Sequence, residues 1–395
     1  MSEQTLYAGG LIFDGVDQLL ENHAVLVSGD RIQDLAPVGQ FEGFSGVRVD
    51  TSGGTLLPGL IDCHVHLIYG GEGDPKAKVS LARPGDLVMK ALERAQDSLR
   101  AGVTALRDLG GKDYLEFSVR DACNSGRQLG PTIRAAGRMI CMTGGHGNAF
   151  GRVADGPEEV TKAVRAQIHA GSDVIKLMAT GGVMTPGVNP EDAHYTLEEL
   201  SAGVHEGHRF HKTCASHAQG SEGILNAVRA GMDSIEHGIF LTEECVQEML
   251  AAGTYLVPTL SALLNIIENK DRGVPAYAVE KTLRVKENHQ ASIKMFYRAG
   301  GKIAMGTDAG TPYNLHGANP GELKFMNDLG ITPQDALKFS TSNAADLLEL
   351  PDRGRIGKEC FADLLLVDGN PLEDITRVSQ TTNHRLVVKN GTPVS

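Results

Sequence analysis

Asp173-Val174-Ile175-Lys176-Leu177-Met178-Ala179-Thr180-Gly181-Gly182 is an apolar run with one lysine inside it and a glycine turn behind it. A helical stretch, 157–170, precedes it and closes at Ala170-Gly171. A strand entered from a helix and left through a turn is one step of a β/α alternation. Lysine side chains normally lie on solvated faces. Lys176, flanked by Ile175 and Leu177, is therefore a position where a polar group is wanted inside.

The same step repeats on both sides. Strands are expected over 60–65, 103–107, 132–136, 174–178, 213–216, 233–236, 255–257 and 303–305, with helices between most of them, as over 87–101, 157–170, 197–211 and 242–252. Thr196-Leu197-Glu198-Glu199 has the spacing of a capping box at a helix start. Ala101-Gly102, Ala170-Gly171, Ala230-Gly231, Ala252-Gly253 and Ala299-Gly300 each stand where a helix should end, just before the next strand. Eight such units predict an α/β fold, a (β/α)8 TIM barrel over 58–350. A doubly wound open sheet is the alternative.

Both ends of the chain read differently. Strands are expected over 6–13, 24–27, 31–35, 47–49 and 55–57, with a hairpin through Ser28-Gly29-Asp30. A strand over 362–367 and another over 386–389, turning at Asn390-Gly391, complete the pattern. Residues 1–57 and 351–395 are expected to form one composite β-sandwich domain.

The net charge of −12 disfavours nucleic acid and anionic membrane as partners. No run nears the ~20 apolar residues of a membrane span, and Met1-Ser2-Glu3-Gln4-Thr5 lacks the basic start of a signal peptide. The six cysteines form no Cys-x-x-Cys pair, and Cys63, Cys141 and Cys214 fall in apolar strands, as buried thiols of a reducing compartment do. A cytoplasmic location is expected.

In a (β/α)8 barrel the chemistry sits at the carboxyl ends of the strands. His64 and His66 end the first, Lys176 lies on the fourth, His217 ends the fifth, His237 the sixth and Asp308 the eighth. Spacing of i, i+2 on an extended chain points His64 and His66 to one side. Each alone has an ordinary reading: a hydrogen-bonded core histidine, a buried ion pair for Lys176, a turn former for Asp308. Together they make a two-metal site. Neutral imidazole suits Zn²⁺, and two cations side by side need an anionic bridge. The Lys176 amine, if neutral, reacts with CO2 to give a carbamate with two oxygens. A bridging hydroxide would be formed near neutral pH, with Asp308 accepting its proton. His146 ends the third strand region, and His316 follows the eighth and is expected to line the same pocket. The remaining eight histidines are expected to be solvated.

Leu57-Pro58-Gly59-Leu60-Ile61-Asp62-Cys63-His64-Val65-His66, residues 174–182, Ala215-Ser216-His217-Ala218, Ser234-Ile235-Glu236-His237-Gly238 and Gly306-Thr307-Asp308-Ala309 resemble the amidohydrolase superfamily over nearly the whole chain. The resemblance implies two divalent metals, usually zinc: His64, His66 and Asp308 on one, His217 and His237 on the other, and carboxylated Lys176 between them. Met142-Thr143-Gly144-Gly145-His146-Gly147 and His217-Ala218-Gln219-Gly220 narrow it to the branch of Xaa-Pro dipeptidases, arginine-type carboxypeptidases and ochratoxin-degrading hydrolases.

That branch implies hydrolysis of an amide of the dipeptide or N-acyl amino acid type, His146 holding the carbonyl or its oxyanion, and a homo-oligomer. Gln219 and Glu222 stand where proline-releasing members are expected to carry an aromatic and then a basic residue. Gln219 is taken as a substrate contact, and a carbamate, aryl amide, lactone or cationic substrate joins the candidates. A one-metal heterocycle deaminase is the weaker alternative, because deaminases typically lack the Lys176 ligand.

Overall fold

In the computed structural model, which describes residues 4–394, the alternation becomes strands β1 (Leu60–Val65), β2 (Val103–Asp108), β3 (Thr132–Ala135), β4 (Ile140–Cys141), β5 (Val174–Met178), β6 (Thr213–Ala218), β7 (Ser234–His237) and β8 (Tyr255–Val257). Met1, Ser2 and Glu3, part of the N-terminal reading above, and Ser395 lie outside the described residues. Helices Pro84–Arg100, Gly156–Ala170, Leu197–Arg209 and Glu243–Ala252 intervene as expected. Thr196 accepts from the Glu199 amide while Glu199 reaches back to the Thr196 amide, the capping box read in sequence. Gly102, Gly171, Gly231, Gly253 and Gly300 all take positive φ, which a helix-ending glycine does without strain.

β3, β2 and β1 are hydrogen-bonded in that order, and β4, β5, β6, β7 and β8 form a parallel run. The register sets Met178 opposite His217 and Ala218 opposite His237. The Asp173 amide donates to the Ala135 carbonyl, linking the start of β5 to β3 at 2.9 Å.

Two expectations change. The third unit is split into β3 and the short β4. The eighth forms no strand: 303–305 makes only an isolated bridge, Leu256 with Ile303, followed by Val65 with Ala309. The segment still bonds on both sides, Leu256 N to Lys302 O and Cys63 N to Met305 O, but Asp308, at φ 60°, turns the chain out of extension before a ladder can grow.

The described residues up to Asp62, with 96–105 and those from Gly317 onward, form one compact unit; 63–95 and 106–316 form the other. In the first, a four-stranded sheet runs Arg31–Pro37, His23–Ser28, Gln4–Ala8, Val47–Asp50. A six-stranded sheet runs Thr392–Pro393, His384–Lys389, Leu364–Asp368, Gly54–Pro58, Leu11–Phe13, Leu19–Leu20. The expected strand over 6–13 is two strands, because Gly9 adopts φ 111° and the chain changes sheet there. One apolar cluster contains Tyr7, Val25 and Ile32 from the first sheet and Ile12, Leu56 and Leu364 from the second. Asp363 is buried beneath it by charge: it pairs with Arg353 and Lys389, and its second oxygen accepts the Asn390 amide at 2.8 Å. Asn390 and Gly391 both have positive φ, as the predicted turn requires. Among the described residues no helix is long and apolar enough to cross a membrane.

Candidate active site

A cavity of about 360 Å³ opens over the strand ends of the second unit, and His64, His66, His146, Lys176, His217, Gln219, His237 and Asp308 all line it. These eight come from five strands or the loops that follow them and from the segment around Asp308, so the parallel register brings most of them together.

Two groups of donors face each other across it. In the first, Nε2 of His66 lies 3.2 Å from Oδ1 of Asp308 and Nε2 of His64 lies 3.5 Å from the same atom. His66 Nδ1 donates to the Gly110 carbonyl at 2.8 Å, an acceptor only, so its Nε2 keeps the lone pair. His64 Nδ1 is held by Oε2 of Glu236 at 2.8 Å, which leaves its Nε2 in the same state.

In the second group, Nδ1 of His217 and Nε2 of His237 stand 3.0 Å apart. His217 Nε2 donates to the Gly181 carbonyl at 2.9 Å, and His237 Nδ1 meets the Thr259 hydroxyl at 2.7 Å. With Thr259 accepting, both inward nitrogens carry lone pairs. Lone pairs that close repel, and a cation bonded at about 2.0–2.1 Å to each relieves them.

Lys176 lies among these groups. It is 2% exposed, and its Nζ has no hydrogen-bond partner among the described residues. Burial draws the ammonium down to about 8, against a partial rise from the Glu236 charge. Burial likewise holds His64, His217 and His237 well below the ordinary imidazole value, so these rings are neutral and free to ligate. For His66 burial is the largest influence and acts in the same sense, but the nearby Asp308 and Asp108 carboxylates and the Gly110 carbonyl together outweigh it, and the net shift is upward. Asp308 Oδ1, too, has no hydrogen-bond partner among the described residues. His237, Thr259 and Asp308 all adopt positive φ, at 72°, 51° and 60°. Non-glycine residues are held so only where their surroundings over-determine them, as at functional sites. A set of imidazoles, one carboxylate and one amine, all buried except the partly exposed His66, is the donor chemistry of a divalent transition metal.

The Amidohydrolase family profile matches residues 55–394. The chain belongs to the amidohydrolase family. The ochratoxinase of Aspergillus niger is 31% identical over 409 aligned residues, covering 94% of this chain and 82% of that one. A crystal structure of a Xaa-Pro dipeptidase with bound methionine superposes with a TM-score of 0.90 at 33% identity, covering 99% of this chain and 100% of the other. A prolidase complexed with N-methylphosphonate-L-proline gives 0.89 at 30% identity, covering 99% of each. These relatives make the chain a hydrolytic enzyme with a TIM-barrel-like α/β fold, and they support hydrolysis of amides.

In this amidohydrolase, His146, read in sequence as ending the third strand, lies in the loop after β4. Its ring centroid lies 4.3 Å from that of His217, its Nδ1 lies 2.8 Å from the Thr185 hydroxyl, and burial lowers it to about 3. A Cβ on Gly182 would fall 2.7 Å from the His146 ring, so only glycine fits behind it. His316 does not line the cavity: its Nε2 is engaged by the His66 and Tyr69 carbonyls, both at 3.2 Å. Of the histidines expected to be solvated, His194 and His289 are buried. His289 binds the Pro258 carbonyl at 2.7 Å, and the Nδ1 of His194 accepts from the His146 amide.

Several residues of this amidohydrolase site escaped sequence reasoning. Glu236 carries His64 on one oxygen, and Arg107 at 2.8 Å and Ser234 at 2.6 Å on the other. Arg107 also donates to the Cys63 carbonyl at 2.6 Å. The signal was present: Arg107 and Glu236 are opposite charges on interior strands, the same anomaly that marked Lys176. Tyr277 and Lys281, on the helix Ala276–Arg298, left no such signal. The Tyr277 hydroxyl donates to the Met184 carbonyl at 3.3 Å, and Lys281 Nζ donates to the carbonyls of Thr185 and Val188 at 2.7 and 2.6 Å. They tie down the loop after β5, which carries Val183 to Pro186 into the cavity wall.

Proposed function

We propose that the enzyme is a binuclear metal-dependent amide hydrolase acting on a dipeptide or N-acyl amino acid type of bond, or on a carbamate, aryl amide or lactone. The observation that carries this reading is Lys176: a buried amine without a partner among the described residues, in the same cavity as the His64, His66 and Asp308 group and the His217 and His237 pair. His64, His66 and Asp308 would hold one cation and His217 and His237 the other, and Lys176, as its carbamate, would supply the shared anionic oxygens. Zinc fits the donors best. When bound, the two cations lower the pKa of water and polarise the substrate carbonyl.

The chain's own residues do the rest. Asp308 takes the proton of the attacking water on its free oxygen and returns it to the departing nitrogen, so that the C–N bond breaks to an acid and an amine. His146 stays neutral. With Thr185 donating to its Nδ1, its Nε2–H points to the oxygen on which negative charge develops. Glu236 fixes the His64 tautomer. The strands close into a (β/α)8 barrel over 58–350, with the Lys302–Ala309 segment as the eighth stave, and the described residues of 1–57 and 351–395 form the β-sandwich. A cytoplasmic homo-oligomer acting on small molecules completes the reading.

The test is metal analysis of the purified protein together with a panel of dipeptides, N-acyl amino acids, carbamates, aryl amides and lactones. About two transition-metal ions per chain with turnover on the panel is the expected result. An active, metal-free enzyme overturns it.

A further inference from the structure

Gln219 follows β6 and is clamped at its backbone: its amide donates to Thr180 Oγ1 at 3.0 Å and its carbonyl accepts from Phe240 at 2.8 Å. The side chain is 3% exposed and lines the cavity, yet its Oε1 has no donor among the described residues. A buried amide oxygen left unpaired costs about 1–3 kcal/mol. That cost is relieved when a bound molecule offers a hydrogen-bond donor there. Whichever way the amide is turned, it presents one donor and one acceptor and no charge.

The wall around it is apolar. Val183, Leu263 and Ile266 belong to one buried cluster with Met184 and Tyr277 packed on it, and all five line the cavity. Besides Lys176, the sole lining cation among the described residues is Lys76. It is exposed, two residues along from the exposed Asp74 that caps its helix. Lys281 does not line the cavity, and its ammonium is engaged by two carbonyls. No buried cation outside the proposed metal site is left to receive a substrate carboxylate. Burying a carboxylate unpaired against this wall would cost several kcal/mol.

We infer that the cavity selects substrates that are uncharged beside the scissile bond, of the N-aryl amide or carbamate class, and that Gln219 is the residue that sets this preference by pairing with a neutral N–H and C=O edge. This rests on the amide-hydrolase reading of the same site and narrows it. The apolar wall accepts the aryl or alkyl part, and Gln219, which carries no charge, leaves the carboxylated counterpart without a counter-charge.

The test uses an unreactive matched pair, N-phenylbenzenesulfonamide and its 4-carboxy derivative, titrated calorimetrically into the metal-containing protein. The neutral compound is expected to bind at least about tenfold tighter, equivalent to ~1.4 kcal/mol. Gln219→Lys should abolish or reverse that ratio and Gln219→Glu should widen it. Equal or tighter binding of the carboxylate, failure of both to bind, or a ratio unmoved by Gln219→Lys overturns the inference. Turnover of the corresponding amide pair is measured in parallel. Selective binding without turnover of either amide counts against the hydrolase reading alone and leaves the selectivity standing.

Discussion

Oε2 of Glu236 lies 2.8 Å from Nδ1 of His64, and both side chains are buried. Glu236 does not line the cavity and acts on the site through His64 and Lys176, so its effect should show in metal retention before it shows in chemistry. Glu236→Gln is expected to weaken metal binding about 10–100-fold, the usual effect of losing an outer carboxylate. Competition with a chelator measures it. Unchanged retention would remove Glu236 as the positioning group.

Lys176→Ala should lose metal and activity together, with partial return of both when a short carboxylic acid such as propionate is supplied. In the wild type only the neutral amine reacts with CO2. Because burial brings Lys176 down to about 8, the neutral fraction grows as pH rises through that value and shrinks below it. Reactivation of metal-stripped enzyme by zinc and bicarbonate should therefore be faster at pH 8.5 than at pH 7, by roughly the change in neutral amine expected from a pKa near 8. A rate independent of bicarbonate would argue against a carbamate.

Asp308→Asn keeps the shape and loses the base. A fall in kcat of about 10²–10⁴ is expected, the range of general acid–base contributions, with the circular-dichroism spectrum unchanged. Wild-type turnover would reassign the proton transfer.

Gly182→Ala places a methyl group 2.7–2.9 Å from three atoms of the His146 ring. The ring must tilt, and kcat should drop by about tenfold to a hundredfold, since shifts near 1 Å at a reacting centre have that effect. Metal content should stay at the wild-type level, which separates this variant from those of the ligands.

Asp363→Ala removes the acceptor of two cations, Arg353 and Lys389, in the unit built from the chain ends. Stranding buried charge costs about 3–5 kcal/mol. Urea denaturation should show that loss in the transition reporting this unit.

Most of the strands and the helices between them were legible because each half-turn of chemistry repeats: apolar runs, amphipathic helices, Ala-Gly ends. The metal-binding candidates were legible because each breaks that pattern in the same place. Lys176 on an apolar strand is the clearest case. The eighth strand was misread because an apolar run shows its hydrophobicity and not its φ, and Asp308 turns the chain there. His316 was misread because a histidine in a loop gives no hint of the carbonyls it will meet. Arg107 and Glu236 could have been paired from sequence by their sign and burial, but their route to His64 depends on register across three strands. Helix 276–298 and its hold on the loop after β5 depend on contacts about 90 residues apart, which local pattern does not encode.

Tyr277 and Lys281 grip the loop after β5 through the carbonyl oxygens of Met184, Thr185 and Val188. Carbonyls are common to every amino acid, so the grip does not depend on which side chains the loop displays. Val183, Met184 and Pro186 can be exchanged while the loop stays moored. The chain thus separates the part of the cavity that evolution or a protein engineer can rewrite from the part that must not move.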